Sequence, residues 1–264
     1  MRILLIGDVV GRPGRNAIRD LLPGVRDRHR PDLVVCNVEN AAGGFGLTEP
    51  IGRELLEAGV DVMTGGNHIW DKRGSEDYLA AEERLACPAN VPAQVPGRRY
   101  VIHEVDDIRV AVISLLGRVF MHPVDCPFRG LDALLEELDE KADLFVLDFH
   151  AEATSEKQAM GLHADGRVSV VVGTHTHVPT ADSCILPQGT AFQCDLGMTG
   201  PYRSIIGMDA DAVMKKFLTG MPSRFEVARD DARLCGLVVD VDTWSGHATH
   251  VERVDERLEP EEWR

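Results

Sequence analysis

The sequence is short of cations and of aromatic residues. Its 264 residues include 28 Lys and Arg against 43 Asp and Glu, a formal net charge of −15, and only 5% are aromatic. Proteins that bind long nucleic acids usually present a basic face, since counterion release drives their affinity, so this charge argues against such a partner. A small phosphorylated ligand is compatible with it, provided that metal ions reverse the local field.

No hydrophobic run is long enough to cross a bilayer, and the apolar segment after Met1 is too short for the core of a signal peptide. Paired cysteines are also missing. The six cysteines lie far apart, with no Cys-x-x-Cys spacing, at positions 36, 87, 126, 184, 194 and 235. Reduced, buried thiols are the simplest interpretation, and they favour a cytoplasmic protein with no membrane partner.

The two common phosphate-binding loops are absent as well. The segment GRPGR after Asp8 contains Gly11 and Gly14, but it has neither the dinucleotide spacing nor the Lys-Ser or Lys-Thr of a P-loop. The chain has no repeat of fixed period and no linker that would divide it. With 44% hydrophobic residues, we expect one α/β domain over residues 1–264, whose last residues, about 256–264, form a solvated tail.

Aliphatic runs bounded by Gly, Pro and polar residues predict the elements of this domain. Buried strands are predicted at residues 3–6, 32–38, 60–64, 108–116, 143–149, 168–173 and 190–195. Helices are predicted from Pro13 onward and over residues 48–58, 131–141 and 209–218. Antiparallel strands are expected near the C-terminus at 225–228, 234–241 and 249–254.

The most informative stretch is VSVVVGTHTHVP, residues 168–179. Its β-branched run ends at Gly173, and His175 and His177 follow two residues apart. If this segment stays extended, both imidazoles point to the same side of the chain and can approach one ion or two neighbouring ions. A pair of ordinary surface histidines is the alternative, and the rest of the chain decides between them.

Polar residues stand where other buried strands end. They are the acids, amides and imidazoles Asp8, Glu39, Asn40, Asn67, His68 and His150. In open α/β sheets a ligand lies beyond the carboxyl ends of the strands, so residues at these positions are candidate ligands. Three imidazoles with carboxylates and amide oxygens exceed the needs of one tetrahedral ion, and this mixed set suits two ions of the Mn, Fe or Zn type.

Two further residues are candidate substrate contacts. Arg118 follows the strand at 108–116 and could bring a cation to an anionic substrate, with a surface salt bridge as its alternative role. Thr199 lies in the turn-rich loop LGMTGPY, which could line a pocket.

The order of these motifs resembles a known family. GDVVGRPGR, ENAAGGFGLT, GGNHIWD, DFHAEATSEK and VVGTHTHVPTAD look like the YmdB-like branch of the calcineurin-type metallophosphoesterases, and the likeness runs from Met1 to about the 250s. The resemblance implies a four-layer α/β/β/α sandwich with mixed sheets. The sequence departs from the wider superfamily at two motifs: Asp8-Val9-Val10 replaces Asp-x-His, and Glu39 replaces the bridging Asp. Both are shared with the YmdB-like branch, and they leave the coordination of the first ion open.

By this resemblance, a first ion would be held by Asp8, Glu39, Asn40 and His177. A second would be held by Glu39, Asn67, His150 and His175, with Glu39 bridging. The ions, Fe or Mn with Zn as an alternative, would lower the pKa of a bridging water whose hydroxide attacks phosphorus. His68 would protonate the departing alkoxide, unless it serves only to orient Asn67.

The function implied is hydrolysis of small phosphodiesters, with 2′,3′-cyclic nucleotides as the expected substrates. One alternative is a phosphomonoesterase or protein phosphatase on the same metal platform. The other is a regulatory protein that binds metal and nucleotide with little turnover. The sequence is compatible with a homo-oligomer but does not specify one.

Overall fold

The aliphatic runs form the central strands of two β-sheets. The structure is a computed structural model that describes residues 1–258. Within that range its strands are β1 (Arg2–Ile6), β2 (Leu33–Asn37), β3 (Val62–Thr64), β4 (Leu85–Ala86), β5 (Tyr100–Val105), β6 (Ile108–Leu116), β7 (Leu144–His150), β8 (Val170–Thr174), β9 (Cys184–Ile185), β10 (Ala191–Gln193), β11 (Gly200–Pro201), β12 (Ala232–Val241) and β13 (Ala248–Arg257). Its helices are α1 (Gly11–His29), α2 (Glu49–Glu57), α3 (Glu76–Ala81), α4 (Pro127–Leu138), α5 (Thr154–Ala164) and α6 (Ala210–Thr219).

Both sheets are mixed. The first has the order β11-β12-β1-β2-β3-β4, with β13 paired to β12, and the second has the order β5-β6-β7-β8-β10-β9. In the first sheet β1, β2, β3 and β4 are parallel, while β12 runs antiparallel to β1. In the second sheet β6, β7, β8 and β10 are parallel. The strands that precede the candidate ligands therefore all belong to the parallel parts of the two sheets.

Three hydrophobic cores separate four layers, which confirms the expected α/β/β/α sandwich. Along β1 the side chains alternate as a pleated strand requires, with Ile3 and Leu5 in the core between the sheets and Leu4 and Ile6 in the core under the outer helices. Ile18 and Leu22 of α1 complete that outer core. On the far side, Leu131 and Leu138 of α4 and Met160 of α5 share a core with Ile113, Leu147 and Phe149 of β6 and β7.

Several predicted elements differ from the structure. The strand expected at 225–228 is wrong, because Val227 makes only an isolated bridge to Met208. Helix α5 was not predicted, since it buries Glu156 and Lys157 beside Met160 and so has no continuous apolar stripe. Strand β13 is longer than predicted and includes residues 256 and 257 of the expected tail, while residues 259–264 lie outside the described residues.

No helix within residues 1–258 is both long enough and apolar enough to span a membrane. The six cysteines are all free thiols, four of them buried and two, Cys126 and Cys184, partly exposed.

Candidate metal centre and active site

The carboxyl ends of the parallel strands of both sheets meet at one edge of the sandwich. Asp8 follows β1 and Glu39 follows β2 in the first sheet, while His150 ends β7 in the second. The Nε2 atom of His150 lies 3.1 Å from Oε1 of Glu39, and its Nδ1 atom lies 3.9 Å from Oδ1 of Asp8. All three side chains are fully buried. The two sheets thus bring remote parts of the chain to one site, as the sequence predicted.

His150 is at the centre of this cluster. Its Nε2 atom lies 2.9 Å from the side-chain oxygen of Asn67 and 3.1 Å from Nδ1 of His175. Glu39, His150 and His175 offer ligand atoms that all lie within 4.8 Å of one another. These three residues could therefore hold a metal ion, and the oxygen of Asn67 faces the same point.

A buried hydrogen-bond network fixes the orientation of the His150 ring. The hydroxyl of Thr174 donates to Asp148 at 2.6 Å, so its oxygen is left to accept from Nδ1 of His150 at 2.8 Å. Thr64 and Asn37 donate to the other oxygen of Asp148 at 2.6 and 2.9 Å. A neutral His150 ring consequently carries its lone pair on Nε2, directed at Glu39.

The other two imidazoles are held in the same manner. Nε2 of His175 lies 3.2 Å from Glu152, and Nδ1 of His177 donates to the carbonyl of Ile206 at 2.9 Å. Each ring then presents its remaining nitrogen to the cluster, with Nε2 of His177 lying 3.8 Å from Oδ1 of Asp8. Metal-ligating histidines characteristically donate their second ring nitrogen to a carboxylate, carbonyl or hydroxyl oxygen.

The donor atoms at this site fit a cation. Oxygens of Asp8, Glu39 and Asn67 and ring nitrogens of His150 and His175 are acceptors that face one another, and acceptors at such distances repel unless a proton or a metal ion lies between them. Oδ1 of Asp8 is buried without a hydrogen-bond partner, which is costly for a carboxylate. Hard oxygen and imidazole donors of this kind suit Mn, Fe or Zn.

Gly66 leaves the space that the cluster needs. A Cβ atom at this position would lie 2.3 Å from Oε2 of Glu39 and 2.5 Å from Nε2 of His150. Any side chain here would therefore displace the carboxylate, the imidazole or both.

Asn40 links the two halves of the site. Its side-chain nitrogen donates to Oε1 of Glu39 at 3.1 Å and lies 3.2 Å from Nε2 of His177. Turning the amide by half a rotation would replace this nitrogen with the oxygen, because the two atoms have nearly the same shape and differ only in their hydrogen-bonding role. Asn40 can therefore offer either a donor to these acceptors or an oxygen ligand to a cation.

The pKa values of the cluster reflect burial and close charge. Burial raises the pKa of Asp8 to about 6, although His177 and His150 oppose the shift. Burial also disfavours the charge on Glu39, but His150 outweighs it and lowers the pKa of Glu39 to about 2. For His150 burial favours the neutral ring, yet Glu39 and Asp8 raise its pKa to about 9. Burial and the charge of His150 lower the pKa of His175 to about 3. A single proton on His150 thus compensates the negative charge of Glu39, and a metal ion can do the same.

The loop after β8 is not extended, contrary to the prediction from the His-x-His spacing. His175 and His177 both have left-handed backbones, with φ of 94° and 65°. Asp195 holds Thr176 between them, accepting from its backbone nitrogen at 3.1 Å and its hydroxyl at 2.7 Å. The backbone nitrogen of His175 donates to Asp8 at 3.1 Å. These bonds, and not strand alternation, direct both rings to the site.

His68 lies at the mouth of the site and is partly exposed. Its backbone nitrogen donates to Oε2 of Glu39 at 2.8 Å, and its Nδ1 atom lies 2.7 Å from Asp71. The ring is 6.2 Å from that of Phe45. A cavity of about 750 Å³ is lined by Glu39, Asn40, Phe45, His68, His175 and His177, together with Ile206, Phe217 and Phe225. Asp71 was not singled out in the sequence, although it follows His68 by three residues.

The two predicted substrate contacts are not among the residues that line the cavity at the metal centre. Thr199 is fully buried and its hydroxyl bonds with the backbone of Cys235, so the expectation that it contacts substrate is not supported. Its backbone nitrogen instead donates to the carbonyl of Asp8 at 2.8 Å. Arg118 is exposed and makes no ion pair with the described residues, and the carboxylate of Glu156 accepts from its backbone nitrogen at 3.0 Å. Within residues 1–258, Arg118 therefore does not form the surface salt bridge that was its alternative role.

Several known proteins are similar to this chain. A family model for YmdB-like proteins matches residues 4–254. A 2′,3′-cyclic-nucleotide 2′-phosphodiesterase of Bacillus subtilis (strain 168) is 46% identical over 254 residues, which cover 96% of each chain. A hypothetical protein of Thermus thermophilus has a TM-score of 0.92 at 44% identity over 97% of this chain and 99% of its own. A phosphatase of Mycoplasma pneumoniae also has a TM-score of 0.92, at 34% identity over 97% and 93%. The chain therefore belongs to the YmdB-like family, and its sandwich is the metallophosphoesterase fold.

Proposed function

We propose that this protein is a dinuclear metal-dependent phosphodiesterase that hydrolyses small phosphodiesters, with 2′,3′-cyclic nucleotides as its substrate class. The observation that carries the proposal is the convergence of imidazole lone pairs and buried carboxylates on one point between the two sheets. The description of the Bacillus subtilis relative supports the substrate class. The free thiols support a cytoplasmic location.

The proposed first ion is held by Asp8, Glu39, Asn40 and His177. The support is the unpartnered Oδ1 of Asp8, which lies 3.8 Å from Nε2 of His177, and the position of Asn40 between His177 and Glu39. In this assignment the Asn40 amide turns so that its oxygen faces the ion. The acids and amide favour Mn or Fe, and Zn is the alternative.

The proposed second ion is held by Glu39, Asn67, His150 and His175, with Glu39 shared by both ions. The support is the set of distances of 2.9 to 3.1 Å around Nε2 of His150. When bound, such a pair of ions supplies Lewis-acid stabilisation of the phosphate and a low pKa for water.

His68 is proposed as the general acid. It lines the cavity, and Asp71 accepts from its Nδ1 atom, which leaves Nε2 as the nitrogen that would face the substrate. Protonated, His68 would donate from Nε2 to the ribose oxygen that leaves phosphorus, and the carboxylate of Asp71 would stabilise the cationic ring beforehand. A ribose alkoxide is a poor leaving group, so a positioned proton donor has a large effect on its departure.

The apolar wall of the cavity is suited to a nucleobase. Phe45 is 37% exposed and Ile206 53% exposed, so both offer surface to a ring that enters beside the metal centre. Aromatic side chains stack on bases without requiring a particular sequence. A cavity of about 750 Å³ is of the size that binds ligands such as a mononucleotide.

The test combines metal content with turnover. Purified protein is loaded with manganese, and the hydrolysis of bis-p-nitrophenyl phosphate and of a 2′,3′-cyclic nucleotide is compared with that of p-nitrophenyl phosphate. We expect two metal equivalents that are lost together in Glu39→Gln, and faster turnover of the diesters. A faster monoester reaction would favour the phosphomonoesterase alternative, and bound nucleotide without product would favour a regulatory protein.

A further inference from the structure

A second cavity adjoins the active-site cavity. It has a volume of about 1000 Å³ and shares Phe45 and Phe225 with the cavity at the metal centre. Four cations line it, Arg12, Lys72, Arg224 and Arg229, and we refer to them as the cationic groove. Glu226 is the carboxylate among its lining residues within the described chain.

The three arginines of the cationic groove are available to a ligand. Arg12, Arg224 and Arg229 are exposed and make no ion pair with another described residue. Arginines elsewhere on the surface commonly do so: Arg15 bonds with Glu54 at 2.9 Å, and Arg109 with Asp143 at 2.8 Å. The three guanidinium groups are thus concentrated in one cavity and unpaired, with Glu226 as the carboxylate among its described lining residues.

Lys72 connects the groove to the active site. Its Nζ atom lies 5.1 Å from the centre of the Phe45 ring, and that ring lies 6.2 Å from the ring of His68. Lys72 and Phe45 therefore lie between the proposed general acid and the arginines. A chain that leaves the metal centre past Phe45 would enter the groove directly.

A further cavity adjoins the groove. Arg12 and Arg229 also line this cavity of about 740 Å³, in which Arg203 is exposed without an ion pair among the described residues and Asp20, Asp230 and Asp231 supply carboxylates. On a chain of net charge −15, a cavity lined by cations concentrates the local field and attracts anions that the rest of the surface repels. Planar guanidinium groups match the paired oxygens of phosphate.

We propose that the cationic groove binds the phosphodiester backbone of a short oligoribonucleotide whose terminal 2′,3′-cyclic phosphate lies at the metal centre. This inference rests on the proposed function and specifies its substrate as an RNA end rather than a free nucleotide. Backbone phosphates contact Arg224 and Arg229, while the base of the reacting nucleotide stacks on Phe45. The carboxylates of Asp20, Asp230 and Asp231 in the neighbouring cavity limit the bound segment to a few nucleotides.

The experiment compares uridine 2′,3′-cyclic phosphate with a uridine trinucleotide that ends in the same group. For the manganese-loaded protein we expect kcat/KM about tenfold higher for the trinucleotide, as two contacts of the strength of exposed ion pairs supply. The trinucleotide has two internal phosphates. A plot of log kcat/KM against the logarithm of the salt concentration should therefore be steeper for the trinucleotide than for the mononucleotide, by about 1.4 in slope. Equal kcat/KM values, or equal salt slopes, would overturn the proposal.

Variants locate the effect in the groove. Arg224→Ala/Arg229→Ala should reduce the trinucleotide to the level of the mononucleotide and leave mononucleotide turnover within about twofold. Glu226→Gln, which removes the carboxylate of the groove, should increase the trinucleotide preference. Arg253→Ala is the matched control, since Arg253 is exposed and unpaired among the described residues but lines neither cavity. A control that loses the preference equally would contradict the assignment.

A binding measurement separates this inference from the proposed function. Fluorescence anisotropy of a labelled trinucleotide ending in a 3′-phosphate requires no turnover. Binding that the double variant weakens, in a protein that hydrolyses no diester, would support the groove and refute the phosphodiesterase. Diester hydrolysis with no binding difference between wild type and the double variant would refute the groove alone.

Discussion

Lys157 is expected to stabilise the loop that carries His175 and His177. Its side chain is 2% exposed, and its Nζ atom lies 2.7 Å from Oδ2 of the fully buried Asp195. The same carboxylate holds Thr176 through two hydrogen bonds and accepts from the backbone nitrogen of Gly197 at 2.8 Å. Lys157→Met would leave Asp195 with neutral donors only, in an interior where an uncompensated charge is costly.

The size of the effect follows from this burial. Removing one partner of a buried ion pair costs about 3 to 5 kcal/mol of unfolding free energy. For a protein of about this length, 1 kcal/mol corresponds to about 2 to 4 °C in Tm, so we expect Lys157→Met to lower Tm by about 6 to 20 °C. Manganese affinity should also fall by about tenfold, because Thr176 lies between two proposed ligands. A tenfold loss requires that the variant weaken the binding-competent form of this loop by only about 1.4 kcal/mol.

The assays are thermal unfolding and titration calorimetry with manganese. Lys141→Met is the matched control: Lys141 bonds with Glu137 at 3.2 Å on the surface, where both side chains are about half exposed. Surface pairs contribute up to about 1 kcal/mol, so this variant should unfold close to the wild type. Adding Asp195→Asn to Lys157→Met should recover part of the stability. A Tm within about 2 °C of wild type for Lys157→Met, with unchanged manganese affinity, would refute the reasoning.

Three further predictions concern the site itself. Gly66→Ala should abolish metal binding and turnover while circular dichroism stays native, since its Cβ would meet Glu39 at 2.3 Å; elemental analysis showing full metal content would contradict this. His68→Ala should lower kcat by about 100-fold or more with metals retained, and Asp71→Asn should lower it less. After chelation, stability should fall as pH rises from about 6.5 to 9, because Glu39 raises the pKa of His150 to about 9 in the folded protein and the favoured proton is lost through that range. Thermal unfolding against pH checks this, and His150→Gln should remove the slope.

The sequence was sufficient to predict which strands carry the site. Asp8, Glu39 and His150 each follow a buried aliphatic run, and polar residues placed at the ends of parallel strands are expected at one edge of a sheet. The fold does bring them within hydrogen-bonding distance of one another or nearly so. This part of the site depends on local periodicity and on strand direction, and both can be recognised in a single sequence.

The residues that orient the ligands were not predicted. Thr174 and Asp148 hold the His150 ring, and Glu152 holds His175, through contacts that depend on how the chains pack. A threonine or an aspartate inside a strand gives no sign of the side chain it will meet. Asp71 is the exception, because its position three residues after His68 could have suggested the pair.

The cationic groove was also missed, for a different reason. A net charge of −15 averages over the whole chain, whereas the four cations of the groove come from positions 12, 72, 224 and 229. The strand predicted at 225–228 would have paired this segment within a sheet. In the structure Val227 instead packs on Gly11 and Gly44, which leaves Arg224 and Arg229 on either side of it at the cavity.

The left-handed backbones of His175 and His177 explain why the sequence could not reveal the shape of their loop. Each costs about 1 to 2 kcal/mol relative to ordinary geometry, and only surrounding structure can maintain it. The supporting contacts are the hydrogen bond that Asp8 accepts from the backbone nitrogen of His175 and the two that Asp195 accepts from Thr176. Every partner in these bonds belongs to the chain itself, so packing within the fold sets the direction of both imidazoles.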